Sequence, residues 1–234
     1  MITRYGYDVY LGIVLFCAVI SGAVILTVDN DMLRYSVWGF SLLLVLFATN
    51  FFRDPNRTTP PTERGIISPA DGKVIIVKEV EQPEYLNGRA VLISVFMSPL
   101  NVHVNRNPIS GKVEHIRYLK GEYFAAFEDK ASEKNEQSII GVKNRFGKVL
   151  FKQIAGFLAR RIVYELAVGD SVTAGERFGM IKFGSRVDVV FSPDAHVAVR
   201  IGDHVKGGST ILATLPVSST KAVLAGRQQE RSQS

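Results

Sequence analysis

The bond between Gly184 and Ser185, in the run Met180-Ile181-Lys182-Phe183-Gly184-Ser185-Arg186-Val187-Asp188, is of a kind a chain can break by itself. The serine hydroxyl lies next to the carbonyl of the preceding residue, and glycine there lets the backbone bend for the attack. A serine left at the new N-terminus can become a pyruvoyl group, an electrophilic carbonyl built from the chain itself. Such a carbonyl is the electron sink that amine decarboxylation requires. Taken alone, Gly-Ser is a common turn or bulge signal. A second such bond, Gly208-Ser209, follows Gly207 at the close of a repeated turn and already has a structural use there.

Three segments add weight to Ser185. They are Phe51-Phe52-Arg53-Asp54-Pro55, Ser68-Pro69-Ala70-Asp71-Gly72, and the run from Phe96 to Pro108 that holds Ser98-Pro99, His103 and Arg106. In this order, closing on Phe183-Gly184-Ser185, they resemble the short form of the phosphatidylserine decarboxylases. The stretches 130–136 and 153–161 match the same family, so the resemblance runs from roughly residue 50 to residue 191. It implies cleavage at Gly184-Ser185 into a β chain, 1–184, and an α chain, 185–234. Ser185 would then become the covalent pyruvoyl group, which forms a Schiff base with the amine of phosphatidylserine and yields phosphatidylethanolamine for phospholipid biosynthesis.

Asp71 and His103 are carried over by position as the groups that orient and deprotonate Ser185, in the manner of a serine-protease triad acting once on its own chain. One departure stands out. Better-known members have a second histidine three residues on, where this chain has Arg106, which leaves His103 to serve both cleavage and decarboxylation unless a water or backbone group serves one of the two steps. Outside the motif, His103 would read as a core histidine and Asp71 as a turn aspartate before glycine. His115, His196 and His204 lack metal-ligand spacing, so no metal is expected. Asp188 is expected at solvent or against a strand neighbour. Arg106 and Lys182 could meet a lipid phosphate, but read by default as solvated cations.

These residues must be held by two kinds of element. Val9 to Val28 and Tyr35 to Phe52 carry no charge, and by length the first can cross a hydrocarbon core while the second is at the lower limit. Asp29 and Asp31 lie in the short connection, whereas Arg4 precedes and Arg53 and Arg57 follow. The positive-inside rule therefore predicts a membrane hairpin over 1–53 with the rest of the chain on the cytoplasmic side of the cell membrane. Cys17 is the only cysteine, so no disulfide forms within the chain. The formal charge of +6 accompanies no nucleic-acid motif, and attraction to anionic lipid is the economical reading.

Residues 54–64 hold three prolines and read as a linker. From residue 65 to 234 the apolar runs are short and β-branched, as in 73–78, 90–96, 111–118 and 147–152, which predicts a mainly β domain, a sandwich or flattened barrel of short antiparallel strands. A polar loop is expected over 120–137, and 155–163 is ambiguous between helix and strand. Gly169-Asp170 to Gly175 is echoed by Gly202-Asp203 to Gly208, a turn that resembles those of lipoyl-type barrels. That echo supplies one rival function, a carrier or scaffold with Lys182 of Met180-Ile181-Lys182 as acceptor. A pyruvoyl enzyme for a soluble amino acid is the other, and the apolar hairpin argues against it. Self-association is left open.

Overall fold

The computed structural model describes residues 1–121, 135–156, 161–182 and 185–217. Two adjacent helices open the chain, α1 (Tyr7–Thr27) and α2 (Asp31–Phe51). Asn30 starts α2 by accepting the Leu33 backbone N–H at 3.1 Å, which satisfies one free donor of the first turn. Leu15, Phe16 and Leu26 of α1 and Leu42, Leu43 and Leu46 of α2 remain exposed, a surface suited to hydrocarbon. Both helices are long and apolar enough to cross a membrane. The N-terminus returns along the end of α2: Thr3 donates to the Phe52 carbonyl and Asp54 to that of Met1, each at 2.8 Å.

The remaining described chain is β, as the spacing of its apolar runs predicts. In chain order the strands are β1 (Gly65–Ile67), β2 (Gly72–Gln82), β3 (Gly88–Met97), β4 (Val104–Arg106), β5 (Gly111–Leu119), β6 (Gln137–Asn144) and β7 (Gly147–Ala155). They continue as β8 (Arg161–Tyr164), β9 (Ser171–Val172), β10 (Arg177–Lys182), β11 (Ser185–Phe191), β12 (His196–Val197), β13 (His204–Val205) and β14 (Ile211–Thr214). Residues 122–134 of the expected polar loop lie outside the described residues. So do 157–160 of the ambiguous stretch, whose described ends belong to β7 and β8.

The large sheet has the order β13-β2-β3-β11-β7-β6-β5-β9, and two small sheets have the orders β1-β14-β12 and β4-β10-β8. These orders match in halves: β13-β2-β3-β11 mirrors β9-β5-β6-β7, and β1-β14-β12 mirrors β4-β10-β8. The turn echo is thus the visible part of a duplicated fold. Gly202 donates to the Val74 carbonyl and Gly169 to that of Val113, both at 2.8 Å. Each of these glycines has φ near +100° (103° and 102°), a conformation side chains resist. Asp203 and Asp170 cap their turns alike, each accepting a backbone N–H at 2.8 Å, from Arg200 and Ala167. The halves clasp reciprocally, Ile67 donating to the Pro108 carbonyl at 2.8 Å and Arg106 to that of Pro69 at 2.9 Å. By this correspondence Ser68-Pro69-Ala70-Asp71-Gly72 is the counterpart of Asn107-Pro108-Ile109-Ser110-Gly111.

The central strand β11 is buried on both faces. Val187, Val189 and Phe191 join the main core with Ile93, Val95 and Phe151, while Val190 packs on the other side with Leu92 and Leu150. A third cluster, Phe51, Phe52, Val102, Val104 and Met180, seals the base of the helices to the sheet.

Candidate active site

Ser185 opens β11 between β3 and β7, opposite Met97 and Ala155. It is fully buried, and its hydroxyl meets the Met97 thioether at 3.6 Å. Phe183 and Gly184, the other members of the cleavage motif, lie outside the described residues. Behind Met97 runs a chain of buried polar side chains that sequence reasoning did not find. The Asn105 amide nitrogen is 3.8 Å from the same sulfur, Gln153 donates to the Asn105 oxygen at 2.8 Å, and Ser138 donates to the Gln153 oxygen at 2.8 Å. Buried amides need such partners, because an unpaired one forfeits its hydration for nothing. The available signal was weak: Gln153 follows Lys152 in the strand, and only burial sets the two apart.

His103 lies between β3 and β4 with no exposed surface. Its Nδ1 is 2.9 Å from the Asn101 carbonyl. Since a carbonyl only accepts, Nδ1 carries the proton of the neutral ring and Nε2 presents its lone pair. Nε2 is buried and has no hydrogen-bond partner among the described residues. Burial pushes the ring down to about 4, aided by the Arg53 charge and opposed by the bond to Asn101. The imidazole is therefore neutral near pH 7. The Phe51 ring stacks on it at 4.2 Å between centroids, so the last turn of α2 forms one wall of the histidine site.

Asp71 precedes β2 and has both carboxylate oxygens engaged. One accepts the Gly207 backbone N–H at 2.7 Å and the other meets Arg57 at 2.8 Å. In the other half Ser110 accepts the Ala174 N–H at 2.9 Å, so the first bond is a turn cap common to both halves. What aspartate adds to that design is the second oxygen and its charge. Arg106, at the position of the family's second histidine, feels that charge. Its guanidinium is buried against the Gly175 carbonyl, the Pro55 carbonyl and Asp54, at 3.0, 2.9 and 3.1 Å. Asp54 also holds Arg177 at 2.6 Å. Residues 54–57 are thus strapped to the sheet at the start of the stretch, 54–64, that composition reads as a linker.

Ser185, His103 and Asp71 are not joined by a hydrogen-bonded chain among the described residues. Each has its own partners: Met97, Asn101 and the Arg57–Gly207 pair. Asp188 is buried and pairs with Arg186 on its own strand, at 2.8 Å, because both side chains point to the same face, so of its two expected settings the strand neighbour holds and solvent does not. Two other expectations need correcting. Arg106 and Lys182 are not solvated cations, since both are enclosed and ion-paired. His115 stacks on Tyr85 and bonds Glu84 at 3.0 Å. Gly208, at φ 76°, sits in a turn whose next residue, Ser209, donates back to the Lys206 carbonyl.

The family model described as phosphatidylserine decarboxylase matches residues 44–213. The chain belongs to that family. Relatives described as phosphatidylserine decarboxylase proenzymes agree along most of the length. The protein from Prosthecochloris aestuarii is 42% identical over 220 residues, covering 94% of this chain and 100% of its own. That from Pelodictyon phaeoclathratiforme is 44% identical, with 91% and 99% covered. That from Salinibacter ruber is 48% identical, with 80% and 82% covered. In this phosphatidylserine decarboxylase family member Ser185 is fully buried, and its hydroxyl has the Met97 thioether and no charged group as partner among the described residues. A small neutral ketone in place of the serine fits there, because no ion pair has to be broken to admit it.

Proposed function

We propose that this chain is a membrane-bound precursor that cuts itself at Gly184-Ser185 and then decarboxylates phosphatidylserine to phosphatidylethanolamine. The observation that carries the reading is the neutral, enclosed His103 stacked on Phe51, at the foot of two apolar helices. A diacyl lipid gives up about 0.8 kcal/mol for each methylene it withdraws from the bilayer, so chemistry on its headgroup belongs at such a junction. The hairpin spans the membrane with both ends on the cytoplasmic side, by the placement of Arg4, Arg53 and Arg57.

In self-cleavage the Ser185 hydroxyl attacks the Gly184 carbonyl carbon and loses its proton to a base. The C–N bond breaks as the new C–O bond forms, and the chain ends at Gly184 as an ester of Ser185. Loss of the Ser185 α-proton expels the Gly184 carboxylate, and water then releases ammonia, leaving the pyruvoyl group. His103 Nε2 supports proton removal, since it is the free lone pair of a neutral ring whose other nitrogen is fixed on Asn101. Asp71, held by Arg57, places negative charge beside Arg106 and supports the same step. The pyruvoyl group supplies the electrophilic carbonyl that takes up the substrate amine and accepts the electrons released with carbon dioxide. Around it, His103 handles protons: burial disfavours its charged form, so a proton taken at Nε2 is readily given up.

Purified full-length chain in detergent with phosphatidylserine tests the reading. Carbon dioxide and phosphatidylethanolamine are expected from the wild type and from Ser209→Ala, and neither from Ser185→Ala. Activity that survives Ser185→Ala would sink it.

A further inference from the structure

Lys182 ends β10, directly before Phe183, with a side chain only 6% exposed. Alternation along the strand puts it on the same face as Met180, which packs with Phe51, Phe52, Val102 and Val104 where the helices meet the sheet. From that junction its ammonium reaches Asp8, in the first turn of α1, at 3.3 Å, its only ion pair among the described residues. Asp8 itself is 62% exposed and also lies 3.9 Å from Arg161. An enclosed cation is thus balanced by an anion open to solvent. The fold does not require a charge here. Leu215 donates to the Arg64 carbonyl as Ile181 does to that of His103, so the counterpart of Lys182 in the other half is Pro216.

Lys182 lies three positions before Ser185, so their backbones are at most about 11 Å apart. A phospholipid amine engaged at Ser185 carries its phosphate only a few bonds away, toward the bilayer. Of the two anions on a phosphoserine headgroup, the phosphate is the better partner for a fixed cation. The carboxylate loses its charge on leaving as carbon dioxide, and a cation bound to it would favour the ground state over the transition state. We infer that Lys182 binds the phosphodiester of the lipid headgroup, and that Asp8 holds the ammonium until the phosphate displaces it. This rests on the decarboxylase reading for the identity of the substrate, and on geometry for the site.

The two partners predict opposite effects. Removing Asp8 removes a competitor, whereas removing Lys182 removes the ligand. Titration of the full chain in detergent with dihexanoylphosphatidylethanolamine, which has a phosphate but no carboxylate, reads binding without turnover. Lys182→Met should weaken binding about tenfold or more, as loss of a charge-assisted bond to phosphate does, with Lys182→Arg restoring most of it. Asp8→Asn should tighten binding, and supplies the decision if Lys182→Met fails to fold. If Asp8→Asn and Lys182→Met both weaken binding, or neither changes it, the pair is merely structural and the inference is wrong. A wild type that binds this lipid in the predicted pattern yet releases no carbon dioxide from phosphatidylserine would overturn the decarboxylase reading alone.

Discussion

Asp54→Ala removes the carboxylate that straps the segment after α2 to the sheet. Asp54 is buried between two guanidiniums, Arg106 at 3.1 Å and Arg177 at 2.6 Å. Breaking one side of a buried ion pair costs about 3–5 kcal/mol, because the other charge stays behind without its counterion. Here Arg106 keeps two carbonyl acceptors, Gly175 and Pro55, and the side chain of Arg177 is 35% exposed, so water covers much of its loss. The lower end, about 3 kcal/mol, is the working figure. For a chain of this size that lowers Tm by about 6–12 °C. Thermal unfolding should be followed in detergent on the Ser185→Ala background, so that every sample is one uncut chain. Glu63→Ala is the control, since Glu63 pairs with Arg145 at the surface and its loss should move Tm by no more than about 4 °C. Equal shifts for Asp54→Ala and Glu63→Ala would refute the claim that the segment is pinned by a buried charge.

Three further outcomes follow from the same geometry. His103 has an ordinary value of 6.5 and is pushed down to about 4, so the unfolded chain takes up its proton first as pH falls. Its neutral burial should therefore contribute stability above pH 6.5 that is lost progressively toward pH 4, up to about 3 kcal/mol, in a melt-versus-pH series that His103→Leu lacks. Asn105→Val and Gln153→Leu should each cost about 1–3 kcal/mol by orphaning the other amide, while the double variant regains at least about 1 kcal/mol in a double-mutant cycle. Cysteines placed at Asp29 and Thr59 should label from opposite sides of the membrane, and labelling from one side would reject a spanning hairpin.

The strands were legible because β-branched runs between turn residues leave little choice of element, and the hairpin because charge stops at Val9 and returns at Asp29. The Gly-Asp echo was legible for a related reason: only glycine is comfortable at φ near +100°, so both copies keep it. The duplication behind the echo was not. Asp71 and Ser110 do the same capping with different side chains, and two such residues carry no recognisable similarity. Charge misled most where the partner is distant in sequence. Arg106 reads as a surface cation until Asp54, 52 positions earlier, is found against it. Lys182 and Asp8 are 174 positions apart. Asp188 has its partner Arg186 only two residues away, on the same strand face, so a strand neighbour was foreseeable where burial was not. Gln153 and Asn105 each stand next to a charged residue, Lys152 and Arg106, so neither stood out in the sequence, and only the sheet register brings them together.

Intact mass of the purified full-length protein tests the central claim most directly, because it reports the covalent chemistry of Ser185 without presuming a substrate. Two chains are expected, 1–184 and 185–234, with the smaller one lighter by one ammonia than a fragment that starts with serine, because the Ser185 α-carbon becomes the ketone and its hydroxymethyl becomes a methyl group. Sequential degradation should find no amine at its N-terminus. A single uncut chain that decarboxylates phosphatidylserine, or a fully active small chain with a free serine amine, would contradict the account.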